Sequence, residues 1–129
     1  MKIERNSLLS VAVSLIVAGG LATPFAVSAQ DAPLSYKASA DVYKLLAEND
    51  QFRIILQTSK PGKRDASHSH SALAGYRLTD CTGRLHTPDG KSSDSVRKRG
   101  ETFFLPAVKS HSFENTGKTD CDAVIVERK

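Results

Sequence analysis

The chain holds 4 histidines, and two of them sit one residue apart in Ser67-His68-Ser69-His70. Successive side chains of an extended segment point to opposite faces, so His68 and His70 share a face. Two imidazoles side by side on a strand can each offer a nitrogen to one ion at about 2 Å. A third imidazole from a neighbouring strand would close the set, and His111 is the downstream candidate. Three neutral imidazoles can hold a divalent transition metal and leave coordination positions open to water or substrate. No Ser-His-Asp set, phosphate-binding glycine loop or pair of catalytic carboxylates can be assembled from the other residues. Nucleophilic and phosphoryl-transfer chemistry are therefore set aside.

The elements that must position these rings begin after an N-terminal leader. Lys2 and Arg5 give a positive start, Leu8 to Val17 is an apolar run, and Val27-Ser28-Ala29 supplies small side chains for a signal peptidase. Residues 1–29 read as a secretory signal peptide cleaved after Ala29. The apolar run falls short of the roughly 20 residues of a spanning helix, so no membrane attachment is expected after cleavage. The mature protein is then periplasmic or secreted. Loss of Lys2, Arg5 and Glu4 with the leader lowers the net charge from +4 to +3. With that modest excess and no basic stripe interleaved with aromatics, nucleic acid is not expected as a partner.

Residues 30–41 mix Pro, Ser, Ala and Lys with little periodicity and read as a flexible N-terminal arm. Beyond them no long helical period occurs in 42–129. Short β-rich runs recur about every 8–12 residues, punctuated by Gly, Pro, Asn and Asp, which is the pattern of a sandwich or barrel. Val42 to Ala47 and Phe52 to Thr58 flank Glu48-Asn49-Asp50 as a hairpin. Ala72 to Leu78, Thr102 to Leu105 and Ala123 to Glu127 read as further strands. Cys81-Thr82-Gly83 reads as a turn. Cys81 and Cys121 would meet an oxidising compartment, where a disulfide between them is expected, two buried thiols being the alternative.

Two ordered motifs then resemble the cupin superfamily. Gly62 is followed by five residues and His68-Ser69-His70; Gly100 is followed by five residues, Pro106, then His111 and Asn115. The resemblance spans most of 42–129 and implies an all-β double-stranded β-helix, the jelly-roll barrel of a small single-domain cupin. It assigns His68, His70 and His111 as ligands of one divalent transition metal: iron, manganese, nickel, copper or zinc. The family's usual carboxylate ligand falls here on Ala74 or Gly75, and some cupins use three histidines without it. Val108 stands where the second motif has a glycine. Phe113, with the parity of His111, is expected to wall the pocket, joined by Tyr76 and Ala74. Asn115 is expected to brace its turn, and His86 to lie at the surface. Arg53, Arg77 and Arg84 could read an anionic group, but solvated pairing is the plainer reading.

Two functions follow. One is a metal-dependent enzyme acting on a small organic substrate, oxygenase-like rather than an isomerase, since no general acid or base is visible near the motif. The other is a non-catalytic module that binds a metal or small ligand. The family also implies a possible homodimer through an outer sheet.

Overall fold

The computed structural model describes residues 31–129; the proposed signal peptide lies outside the described residues. Nine strands follow a single helical turn, α1 (Ser35–Ala38): β1 (Tyr43–Glu48), β2 (Phe52–Ser59), β3 (His68–His70), β4 (Leu73–Arg77), β5 (Cys81–His86), β6 (Ser92–Arg97), β7 (Thr102–Leu105), β8 (Val108–Asn115) and β9 (Cys121–Arg128). They form a five-stranded sheet, β1-β2-β9-β4-β7, and a four-stranded sheet, β3-β8-β5-β6. All the strand pairs are antiparallel. The expected barrel is present, and its two inner faces enclose the core.

Alternation decides which side chains enter. Along β9, Cys121, Ala123, Ile125 and Glu127 are buried, whereas Val126 and Arg128 are exposed. Val42, Tyr43, Ile55, Leu73 and Ile125 form one apolar cluster, with Phe103 and Leu105 packed against it. Burying each such aliphatic side chain is worth about 1.5–3 kcal/mol. A second cluster joins Phe113 and Leu85 to Cys81 and Cys121, which form the expected disulfide across a sequence separation of 40.

One expectation changes. Cys81-Thr82-Gly83 is not a turn but the first half of β5. Gly83 is needed there for space, because a Cβ would lie 2.2 Å from the Phe113 ring. The described part of the arm is hydrogen-bonded to the barrel. The Ala32 and Ser69 amides donate to the Lys109 and Pro33 carbonyls at 3.0 and 2.8 Å. Leu34 bridges Ser69, and the Ala66 amide donates to Ser39 Oγ at 2.8 Å. The segment thereby covers the free edge of β3, satisfying backbone groups that an edge strand would leave unpaired. Asn115 is the last residue of β8 as well as a brace. Its amide donates to the Ser59 and Thr119 carbonyls at 2.7 and 2.8 Å, and its Oδ1 accepts from the Gly117 amide at 2.9 Å.

The glycines that open both motifs are conformationally required. Gly62 and Gly100 adopt φ of 75° and 86°, the left-handed region that side chains disfavour. Among the described residues no helix is long and apolar enough to cross a membrane.

The disulfide predicts a stability effect. Replacing both cysteines by alanine should lower the unfolding free energy by about 4 kcal/mol in the loop-entropy model, read as a shift of the urea midpoint. An unchanged midpoint would show that the bridge constrains nothing.

Candidate metal centre

Strands β3 and β8 are neighbours, and His68 pairs in register with His111. The register slips between His68 and His70, so His70 pairs with Val108. All three rings are buried. His68 Nε2 lies 3.0 Å from His70 Nε2 and 3.1 Å from His111 Nε2, and the three donor atoms lie within 4.8 Å of one another. The sequence-expected triad is thus brought together.

The opposite ring nitrogens explain what the inner ones offer. The His68 Nδ1–H donates to the Ala66 carbonyl at 2.9 Å. His70 Nδ1 faces the Glu127 carboxylate. A neutral imidazole has one N–H, and in both rings it is held outward, so each Nε2 presents a lone pair. Lone pairs 3.0 Å apart repel unless a cation lies among them. A proton added to His111 or His68 is a poor candidate. Burial, with repulsion from His68 and His70, pushes the His111 pKa down from 6.5 to about 3. Burial likewise lowers that of His68, against the opposing pull of Asp65. Ligands at right angles on an ion with bonds of about 2.1 Å would be about 3 Å apart, matching the two short separations. The three-histidine cluster could hold a divalent first-row metal, with two of its separations already at that spacing.

Two buried acids brace the centre, and neither stands at the family's carboxylate position. Glu127 is fully buried on β9 and engages His70 through one oxygen; the other has no hydrogen-bond partner and sits 4.0 Å from Arg53 Nη1. Asp65 accepts from the Tyr43 hydroxyl at 2.8 Å and the Phe113 amide at 2.7 Å, and lies 3.6 Å from His68 Nδ1. Burial raises the Asp65 pKa against the pull of His68. Burial, then the Asp65 charge, lifts the Tyr43 phenol well above its ordinary range, so it stays a donor.

The vacated carboxylate position is Gly75, which faces inward on β4 with Leu73 and Arg77. The Phe103 ring occupies that space: a Cβ at Gly75 would lie 2.1 Å from its Cζ. Ala74 and Tyr76 have the opposite parity. Tyr76 is 48% exposed, and Ala74 lines an outer groove with Phe104 and Val126. The expectation that these two wall the pocket is corrected. Phe113 does line the interior cavity, with His70 and His111, in a space of about 90 Å³. His86 does not line that cavity; its Nε2 is 2.8 Å from Glu114, and it borders a separate pocket on the other side of His111.

The sequence reading missed Glu127, Asp65 and Tyr43. Only Glu127 carried a usable signal, since it has the inward parity of Ala123 and Ile125.

No family model matches the sequence, and neither does any curated protein. Solved structures do match. A cupin domain from Bordetella pertussis is 25% identical with a TM-score of 0.62, over 68% of this chain and 92% of that one. The chain belongs to the cupin superfamily. A Klebsiella pneumoniae protein with a double-stranded β-helix domain shares the fold at 17% identity and TM-score 0.52, over 67% and 75% of the two chains. So does the polyketide cyclase RemF from Streptomyces resistomycificus, at 20% identity and TM-score 0.51, over 67% and 63%. This cupin keeps the fold while drawing its acidic support from β9.

Glu127→Gln should therefore weaken zinc affinity about 10–100-fold, measured by competition with a chromophoric chelator; undiminished affinity would show that Glu127 does not act on His70. A second expectation concerns the metal-free protein. The unfolded chain binds more protons at residue 111 between about pH 3 and 6.5, so this stability is complete above pH 6.5 and lost as pH falls. The urea midpoint should drop between pH 7 and pH 5. His111→Leu should flatten that slope by up to about 1.4 kcal/mol per pH unit, and an equal slope in both proteins would contradict it.

Proposed function

We propose that this cupin is an exported metal-dependent enzyme that binds one divalent ion through His68, His70 and His111 and acts on a small organic substrate. The convergence of Nε2 lone pairs, with the outer ring nitrogens of His68 and His70 already engaged, carries the reading. When bound, the ion would supply Lewis acidity or, for iron, manganese or copper, oxygen activation.

The chain's own residues position and exclude. Glu127 and the Ala66 carbonyl fix ring orientation, Asp65 ties Tyr43 to the β8 backbone, and Phe103 and Phe113 supply aromatic wall to the cavity. Besides the histidines, the ionisable groups lining the cavity are Tyr43, Arg77 and Arg97. None is a base at neutral pH, which favours oxygenase-like chemistry over isomerisation. The same lack of a base favours a second reading, a module that binds metal and ligand without turnover. Export is supported by the disulfide.

A homodimer is also proposed. Ile54, Val126, Ala74 and Phe104 are register partners across the outer face of the five-stranded sheet, and Phe104 is 78% exposed. This apolar row suits a second copy of the chain, face to face.

Metal content of protein purified from its own host should be one ion per chain. Oxygen uptake across a panel of thiols, diketones and phenols should reveal turnover that His111→Ala abolishes. A full complement of metal with no turnover would favour the binding module, and no metal would remove both readings. Light scattering should show a dimer that Phe104→Glu converts to monomer; a monomeric wild type would exclude the pairing.

A further inference from the structure

We propose that the cavity beside the histidines is a site for a small carboxylate, held by the guanidinium of Arg77. The two other arginines considered from sequence have acidic neighbours: Arg84 meets Asp94 at 2.7 Å and Arg53 meets Glu48 at 3.5 Å. Arg77 does not. It is only 7% exposed, its Nη1 donates to the amide oxygen of Gln57 at 3.1 Å, and its Nε has no partner. Its guanidinium carbon lies 4.9 Å from the centre of the Phe103 ring. A neutral amide and an aromatic face are weak compensation for a buried charge. The ionisable groups that bear on it are Tyr43 and a second cation, Arg97.

The acids nearby are already committed, Asp65 to Tyr43 and the Phe113 amide, Glu127 to His70. Neither lines the cavity, whose wall includes the buried Arg77, the exposed Arg97 and no carboxylate residue. Its field therefore selects an anion. The space, about 90 Å³, is small, so the ligand has few atoms. The remaining wall is largely aliphatic and aromatic, including Leu85, Leu105 and Ile125, which suits a short apolar body. A guanidinium fork receives a planar carboxylate in two parallel bonds, a geometry that lysine cannot copy. Because His70 and His111 line the same cavity, a ligand anchored on Arg77 presents its other end to the metal. Only that last step rests on the metal-dependent reading.

Propanoate and its uncharged counterpart propanamide are suitable probes, titrated calorimetrically into the zinc-loaded protein and into His111→Ala. The zinc-loaded wild type should prefer propanoate. Arg77→Gln should weaken it on the order of 10–100-fold with zinc stoichiometry unchanged, and Arg77→Lys should recover only part of the loss. Equal binding of the two probes, or unaltered propanoate affinity in a folded Arg77→Gln protein, would overturn the proposal while leaving the metal centre standing. Propanoate preference persisting in wild-type protein that takes up no zinc would uphold the carboxylate site and remove the metal. Should Arg77→Gln fail to fold, the propanoate preference of the wild type and its reduction in Arg97→Gln decide the matter.

Discussion

Nitrogen against nitrogen is the contact on which this molecule turns. With their N–H groups held outward, the Nε2 atoms of His68 and His70 face each other lone pair to lone pair at 3.0 Å, with His111 Nε2 3.1 Å from the first, and the fold holds them there. Outward hydrogen bonds from His68 and His70 prevent those rings from relieving the conflict by changing tautomer. Burial prevents His111 from relieving it by taking a proton near neutral pH. A shared divalent cation converts the same arrangement from repulsive to attractive. Such an arrangement follows the general tendency of functional sites to carry local conflict that the scaffold absorbs.

The scaffold absorbs it through a chain of buried polar contacts more than through apolar burial alone. Asp65 links the loop before β3 to β8, where His111 resides, by accepting from the Phe113 amide. Asn115 ties the end of β8 to β2 through the Ser59 carbonyl. Glu127 brings β9, from the opposite sheet, against His70. The two sheets are thereby locked at the level of the histidines, and the disulfide holds β5 to β9 below them. Removing one member of such a network strands its partners in a low-dielectric interior, which costs more than the bond itself.

The triad and the barrel were legible in the sequence because they rest on local signals. His-x-His parity, two glycines at positive φ and recurrent turn residues are all read from neighbours in the chain. What was not legible depends on distant partners. Glu127 braces a ring 57 positions earlier, and Phe103 fills the gap left at Gly75 from another strand. Tyr76 and Ala74 were misplaced because the inward face of β4 carries Leu73, Gly75 and Arg77 instead. Gly83 suggested a turn where its missing Cβ in fact makes room for Phe113. Arg77 was one of three arginines that could read an anion, and what sets it apart, the lack of an acidic partner, emerges only when the strands are assembled.

The most direct trial of this account is diffraction from zinc-loaded crystals at the zinc absorption edge. The account predicts one anomalous peak with Nε2 of His68, His70 and His111 each at about 2.0–2.1 Å, and Glu127 still on the far side of the His70 ring. Zinc bound elsewhere, or a triad that closes around no ion at saturating zinc, would contradict it.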